Sequence, residues 1–217
     1  VDNWLHSYLS ADIYITTQGS DFGAGRVPLE PELMTRLDQI DGIDSITRAR
    51  HLRLEDEQGV SELFVAEIPE DSFTGYWFVD GDREQIYREF KNSRAVIVSE
   101  PFAYRRNLER GDVLRLRTRH GEQQFRIAGV FTDYGSDQGR ITISRSLYQQ
   151  YWSEPQTDAL GIYLKDTADT DQLARQLRAL AADIQPLMIY SNQDLREASL
   201  ATFDRTFAVT SVLRILA

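Results

Sequence analysis

The residues that could act in catalysis or bind a metal do not show the sequence spacing that catalytic or metal-binding motifs require. The three histidines, His6, His51 and His120, are far apart and show no H-x-x-x-H pattern, so a zinc site is not predicted. Ser99 and Glu100 end an apolar run before a short helix, as a serine nucleophile does on its turn, but the glycines of G-x-S-x-G are missing. We therefore interpret Ser99 as the N-cap of that helix.

Two further stretches resemble ligand loops and lack essential residues of such loops. The glycine-rich segment 19–25 has neither the lysine nor the Ser/Thr of a phosphate loop, so a surface connection is the better interpretation. Asp166, Asp169 and Asp171 lack the glycine and the closing glutamate of a calcium loop, and helix capping explains them. We expect a chain that is not an enzyme and that holds no cofactor and no metal.

The composition narrows the class of protein. The 217 residues are 41% hydrophobic and 27% charged, which is typical of a soluble globular domain with a sizeable core. The net charge of -10 argues against a nucleic-acid partner, because such binding depends on basic residues that meet phosphates. Cysteine is absent, so disulfides, thiolate metal sites and a cysteine nucleophile are excluded.

The stretch 96–134 has the clearest order of elements. The signals are β-branched and aromatic runs, Pro101 at a helix start, and glycine turns. They predict a strand at 96–98, a short helix, a turn at 111–112, and a hairpin of strands 113–119 and 124–130. The residues "VIVSE", the aromatic helix, "GD" and "FRIAGVF" resemble the extracytoplasmic domain of FtsX-like, MacB-type ABC-transporter permeases. The resemblance is strongest over residues 95–151.

Both flanks of this stretch show a strand, helix, strand pattern. The first unit covers 11–54 and the second 159–190, with a capping box at Asp169 and Gln172. Ser144 is expected to cap a helix through Tyr151, and Ser191 with Asp194 a final helix. The predicted fold class is α+β: two β-α-β units share a sheet, and a small β-rich lobe is inserted between them. The resemblance implies a porter-like subdomain of residues 1–93 and 156–217 and a Sabre-like subdomain of residues 94–155.

The two chain ends are amphipathic or apolar. Trp4, Leu5, Tyr8 and Leu9 have helical spacing and include aromatics that favour a membrane interface, and residues 207–217 form an apolar run. At about 1.5 Å per residue, that run spans only roughly half of a ~30 Å bilayer core. Packed terminal helices and the beginnings of membrane helices are equally compatible with the residues alone. The resemblance favours membrane-proximal helices that lie side by side, with Phe203 and Phe207 on the second.

The loop 133–139, DYGSDQG, is a candidate contact surface. It offers two acids, an aromatic ring and glycines between predicted strands, and its candidate contact residues are Asp133, Tyr134, Gly135, Asp137 and Gln138. A solvated connection explains the same composition, and the sequence leaves both interpretations open.

The resemblance implies a coupling role in a permease of the bacterial inner membrane, with this domain in the periplasm. A separate cytoplasmic ATPase subunit would bind ATP, and a second permease copy or half would complete the transporter. The implied work is the export or extraction of a hydrophobic cargo, such as a lipid, lipoprotein or peptide, or the activation of a periplasmic partner protein. A soluble extracytoplasmic binding or adaptor module is the alternative. A hydrolase is a third class, for which no carboxylate pair or triad spacing marks a site.

Overall fold

The computed structural model describes residues 10–17, 27–56, 58–133 and 138–198. Its strands are β1 Ile13–Thr17, β2 Ile43–Asp56, β3 Gly59–Ala66, β4 Ala95–Ser99, β5 Val113–Thr118, β6 Gly121–Phe131, β7 Arg140–Ser144, β8 Ala159–Leu164 and β9 Leu187–Ser191. Its helices are α1 Pro31–Leu37, α2 Glu70–Phe73, α3 Arg83–Asn92, α4 Glu100–Arg106, α5 Arg145–Trp152 and α6 Thr170–Ala182, and residues 192–198 are also helical. The described strands form one sheet in the order β5-β6-β4-β7-β3-β2-β8-β1-β9.

The β2-β8-β1-β9 part of the sheet is made by the two flanks of the chain, and we call it the proximal half. β8 lies between β1 and β2, and β1 lies between β8 and β9, with antiparallel pairing throughout. The units β1-α1-β2 and β8-α6-β9 are therefore interleaved split β-α-β units, as in ferredoxin-like folds. Leucine stripes on α1 and α6 cover one face of these strands. The α+β class and the two β-α-β units in one sheet are confirmed.

The remaining strands, β3, β7, β4, β6 and β5, form the distal half. β7 is parallel to β3, β6 is parallel to β4, and β5 is an edge strand beside β6. Four apolar residues from segment 94–155 share one core cluster with Leu63 and Val65 of β3, namely Phe102, Leu116, Ile127 and Leu147. Ile97 belongs to the cluster on the opposite face, with Phe73 and Phe90. Segment 94–155 thus continues the sheet through the β3–β7 pair, and its division into a separate subdomain stays a prediction.

The long strand β2 belongs to both halves. Its residues 43–49 pair with β8 and its residues 49–56 pair with β3, so Ala49 lies opposite both Ala159 and Ala66. The register places Ile13 of β1 at the level of Ile46, and Arg140 of β7 at the level of Arg53. Seven residues of strand separate those levels, which is roughly 23 Å. The distal half is therefore displaced along β2, away from the start of β1 and the end of β9.

Most of the predicted helix caps are confirmed, and one is wrong. Ser144 and Asp169 accept hydrogen bonds from the N–H groups of Leu147 and Gln172, and Ser191 and Asp194 bond each other reciprocally. Ser99 stands at the N-cap of α4 but makes no side-chain cap. Its side chain is fully buried between β4 and β7, where Oγ accepts from the N–H of Arg140 at 2.8 Å. The Ser99 hydroxyl is therefore hydrogen-bonded to β7 and not to the N-terminus of α4.

Gly139, just before β7, generates a stability prediction. It has φ +78, and a Cβ there would come within 2.8 Å of backbone atoms of Phe102 in α4. Gly121 has a similar φ of +85, with nothing within 4 Å of a Cβ. Gly139→Ala should therefore lower the free energy of unfolding by about 1–3 kcal/mol more than Gly121→Ala, because α4 must move away. Urea denaturation measures both, and equal losses would contradict the packing of α4 against this glycine.

Candidate functional site

The residues just before β1 and just after β9 meet at one edge of the proximal half. Asn192 donates from its backbone N–H to the carbonyl of Asp12 at 2.8 Å, and from Nδ2 to the carbonyl of Ala11 at 2.7 Å. The carboxylate of Asp12 accepts from the N–H of Leu164 at 2.8 Å, which ties both ends to β8. The chain therefore enters and leaves this sheet at adjacent points.

The incoming end is also tied to the segment that follows the distal strand β3. Ser10 Oγ lies 2.8 Å from Ser72 Oγ of α2 and 2.9 Å from Tyr163 Oη of β8, and the last two atoms are 3.2 Å apart. These three hydroxyls form a triangle of hydrogen bonds. Residue 10 is thus hydrogen-bonded both to β8 of the proximal half and to α2, which follows β3 of the distal half.

The predicted membrane-proximal residues lie next to this edge in sequence. All of them fall outside the described residues: Trp4, Leu5, Tyr8, Leu9, Phe203 and Phe207. The predicted pair of terminal helices stays a prediction. What the structure adds is the place from which such helices would extend, because residues 10–12 and 192 are already bonded to each other.

A row of alternating acidic and basic side chains crosses the boundary between the halves. We call it the ion row, and its members in spatial order are Asp158, His51, Glu62, Arg140 and Asp133. The successive distances are 2.8 Å from Asp158 Oδ1 to His51 Nδ1, 3.9 Å from His51 Nε2 to Glu62 Oε1, 2.6 Å from Glu62 Oε2 to Arg140 Nε, and 3.7 Å from Arg140 Nη1 to Asp133 Oδ2. Each side chain is at most 19% exposed, so these pairs are screened little by water.

Asp158 fixes β2 at the point where β8 begins. Its backbone N–H donates to the carbonyl of Ala49, and its Oδ2 accepts from the N–H of His51 at 2.7 Å. The carboxylate also holds the His51 ring, which packs on Phe64 of β3. One buried carboxylate therefore braces β8, β2 and β3 together.

The far end of the ion row lies at the candidate contact loop. Asp133 is 5% exposed and faces Arg140, so its side chain anchors the loop. Gln138 is described, whereas Tyr134, Gly135 and Asp137 fall outside the described residues. Whether the loop contacts a partner stays a prediction.

Sequence reasoning missed the ion row, because its key pair is separated by 107 positions. His51 was noticed only as a histidine without metal-ligand spacing. Among the described residues, no three or more His, Asp or Glu side chains converge to hold a metal ion. Within the same ranges, no helix has the length and apolar character that a bilayer crossing requires.

Tyr14 of β1 lies at the same edge of the proximal half, where its side chain is bonded to the incoming chain. Its Oη accepts from the N–H of Ala11 at 3.0 Å. Burial of the phenol raises the pKa of Tyr14 to about 12, because the phenolate would lose water.

Comparison with known proteins identifies the class. A model of the MacB-like periplasmic core domain matches residues 4–180, so the chain belongs to that family. It is an extracytoplasmic domain of the ABC-transporter permease class, and the predicted resemblance is confirmed.

Two similar proteins support this assignment. An uncharacterised ABC transporter permease protein of Mycobacterium tuberculosis is 28% identical over 221 residues, which cover 99% of this chain and 26% of the relative. The chain thus spans about a quarter of that relative's length. The crystal structure of the periplasmic region of MacB from Actinobacillus actinomycetemcomitans matches with a TM-score of 0.53 over 89% of this chain and 94% of that one, at 13% identity. That structure shows a shared fold.

The brace at Asp158 generates a second stability prediction. Asp158→Asn keeps an acceptor but removes the charge that two donors of His51 share, so the free energy of unfolding should fall by about 1–3 kcal/mol. Glu55→Gln is the control, because Glu55 is 71% exposed and pairs loosely with Arg53; a change within about 0.5 kcal/mol is expected there. Urea denaturation at neutral pH measures both. Equal losses in the two variants would show that the Asp158 carboxylate does not stabilise the junction of β8, β2 and β3.

Tyr14 generates a pH prediction. Its pKa is higher in the folded state than the ordinary value of 10, so the folded chain keeps a proton that the unfolded chain releases. The resulting stabilisation is complete below about pH 10 and is lost as the pH rises through about 12. When the pH is raised from about 8 to 11.5, the free energy of unfolding should fall by roughly 1–2 kcal/mol less in Tyr14→Phe than in the wild type.

Tyr104→Phe is the control for this titration, because Tyr104 is 89% exposed. It should follow the wild-type curve of unfolding free energy against pH. A Tyr14→Phe curve that also follows the wild type would show that Tyr14 titrates as an exposed phenol.

Proposed function

We propose that this domain is the mechanical lever of an ABC-transporter permease: motion of the membrane part reaches the periplasm through its chain ends. The observation that carries the proposal is the pair of hydrogen bonds from Asn192 to Ala11 and Asp12. A domain between two consecutive membrane helices must enter and leave through one surface, and these bonds join the two points. The family assignment supplies the transporter class.

The route through the domain follows its strands. A displacement at residues 10–12 and 192 acts on β1 and β9, then on β8, and then on β2, which is paired with both halves. Asp158 prevents β2 from sliding on β8, and the ion row continues to the loop at residue 133. The distal end would therefore move with the chain ends, at a level roughly 23 Å further along β2.

The proposed setting is the inner membrane, with this domain on the periplasmic side. ATP would be bound and hydrolysed by a separate cytoplasmic subunit, and a second permease copy or half would complete the assembly. The domain itself would hold no cofactor and perform no catalysis. Its work would be the export or extraction of a hydrophobic cargo, such as a lipid, lipoprotein or peptide, or the activation of a periplasmic partner.

A soluble extracytoplasmic adaptor is the alternative function. The same joined chain ends are compatible with it, because terminal helices packed on the domain would also start side by side. Washing membranes with alkaline carbonate separates the two cases: the full-length permease would stay in the pellet until detergent is added, and an adaptor would be released.

The proposal predicts that tying the incoming chain end to α2 will leave the transporter coupled, because the domain moves as one body. Ser10 Oγ and Ser72 Oγ are 2.8 Å apart, so cysteines at both positions are within disulfide reach, and the chain has no cysteine of its own. In the full-length permease, reconstituted with its ATPase subunit, oxidation of Ser10→Cys/Ser72→Cys should leave the rate of ATP hydrolysis unchanged, because the two residues do not move relative to each other. The rate measured after reduction is the reference.

The matched control is Arg117→Cys/Glu122→Cys on the β5–β6 hairpin. These residues are directly paired, so a disulfide can form there, but the pair lies at the far edge of the sheet. Its oxidation should leave the rate unchanged. A complete Ser10–Ser72 crosslink that slows ATP hydrolysis severalfold, with no such effect at the control pair, would show that residue 10 moves against α2 and would contradict the rigid lever.

A further inference from the structure

Strand β5 forms one edge of the sheet, and among the described residues it is paired only with β6. Arg126 lies directly opposite Val113 but donates its backbone N–H to the carbonyl of Arg94, on the β4 side. This position is therefore a non-hydrogen-bonded pair of the β5–β6 ladder. The N–H of Ile127 donates to the carbonyl of Asp112 at 2.8 Å, as the alternation requires. The first residue of β5 thus turns its backbone N–H and C=O away from β6.

The same orientation recurs at every second residue of β5. Arg115 and Arg117 follow Val113 at steps of two, so their backbone N–H and C=O groups also point out of the sheet. Within the described ranges, no further strand covers this row. An extended segment of another chain can add to such a row as a new strand, because its own backbone groups complete the ladder.

The side chains of β5 alternate between two environments. Val113 is 51% exposed, Arg115 is 66% exposed, and Arg117 is exposed on the same face. Leu114 and Leu116 lie on the other face and belong to the apolar core cluster of the distal half. A strand added at this edge would therefore place every second side chain beside the arginines and the others beside the leucines.

The β5–β6 hairpin is basic in a chain that is acidic overall. Residues 113–126 contain four arginines and one acid, Glu122, whereas the whole chain has a net charge of -10. Nε of Arg115 lies 3.9 Å from Oε1 of Glu122, and both side chains are 66% exposed, so this pair is weak. Arg117 and Arg119 are also exposed. Acidic side chains on a partner strand would complement this charge.

The same charge argues against a second copy of this chain as the partner. In an antiparallel pair of two β5 strands, the arginines of one copy would face those of the other, and like charges directly opposite each other destabilise a sheet. The opposite edge of the described sheet, β9, has no acidic residue in Leu187–Ser191. Charges of one sign protect an edge strand from its own kind. They leave the edge open to a strand of the opposite sign.

We propose that the β5 edge takes up an acidic, extended segment of a partner protein as an additional antiparallel strand. The segment would carry acidic residues opposite Arg115 and Arg117 and small or apolar residues between them. The inference rests on the proposed function only where it identifies this partner with the periplasmic protein on which the lever acts; the strand addition follows from the edge itself. In the sheet order, β5 is the strand farthest from β9, so the partner would lie at the distal end.

A titration of the isotope-labelled chain with a short acidic peptide, followed by nuclear magnetic resonance, tests the proposal. The probe has the sequence SEVETES with blocked ends. Saturable shifts of the amide signals of Val113, Arg115 and Arg117 are expected, with a Kd below about 1 mM. The basic peptide SKVKTKS should bind at least about tenfold more weakly. No saturable binding of the acidic peptide, or equal binding of the basic one, would overturn the proposal.

N-methylated peptides separate strand addition from attraction between charges. Opposite β5 residues whose backbone groups point outward, the glutamates of the probe must donate their own N–H groups to β5, whereas the N–H of its threonine points to solvent. N-methylation of the central glutamate should therefore abolish binding, and N-methylation of the threonine should leave the affinity nearly unchanged. Equal affinity of the two methylated peptides would show a contact without backbone pairing and would overturn the strand addition.

Variants of the chain locate the site. Arg117→Gln should weaken binding of the acidic peptide by about threefold, and Arg175→Gln, an exposed position on α6 in the proximal half, is the matched loss of charge that should have no effect. Arg115→Pro should abolish binding because it removes an outward N–H that takes no part in the β6 ladder. Arg115→Gln keeps that N–H and should lose only about threefold in affinity.

The outcomes are separable from each other and from those of the coupling test. Wild-type affinity in both Arg117→Gln and Arg115→Pro would place the peptide elsewhere and overturn the site. If Arg115→Pro fails to fold, the N-methylated peptides still decide whether the backbones pair. Binding as expected together with a Ser10–Ser72 crosslink that slows ATP hydrolysis would retain the β5 edge and reject the rigid lever. Absence of binding together with a harmless crosslink would reject the β5 edge alone.

Discussion

The pairing of β2 with two different strands is the constraint on which the rest of the structure depends. A strand of fourteen residues is unusually long, since strands are typically five or six residues, and β2 uses one part for β8 and the other for β3. Ala49 stands at the change of partner. Two features follow from it: the displacement of the distal half, and the role of Asp158, which holds β2 at the point where β8 begins.

The ion row is better understood as a device for register than as a source of stability. Removing both partners of a buried ion pair is often neutral, whereas removing one costs about 3–5 kcal/mol. A slip of β2 on β3 by one residue would turn His51 to the other face and leave Asp158 and Glu62 without it. The row therefore penalises every register except the observed one. A lever needs this property, because strands that slide transmit no displacement.

Local patterns in the sequence predicted the elements well. Helix α5 was expected to start after Ser144 and to run through Tyr151, and it is found at Arg145–Trp152, because Ser144 caps it and Leu147 and Tyr148 lie on its buried face. The hairpin of β5 and β6 followed from alternation and one glycine turn. Contacts between distant segments were beyond such reasoning: Asp158 and His51 meet only because β8 is inserted between β1 and β2. The hydroxyl of Ser99 was misassigned for the same reason, since β7 is its neighbour in space only.

The claim that the two halves move as one body has a direct test. Spin labels at Tyr104, in the distal half, and at Arg175, on α6, are both at exposed positions, and their separation can be measured by pulsed electron paramagnetic resonance in the full-length permease. Other cysteines, if the remainder of the protein contains any, must first be replaced. A rigid lever gives one narrow distance distribution that is the same with and without trapped ATP. A second population, or a shift larger than the width of the distribution, would show that β2 acts as a hinge and would contradict the lever.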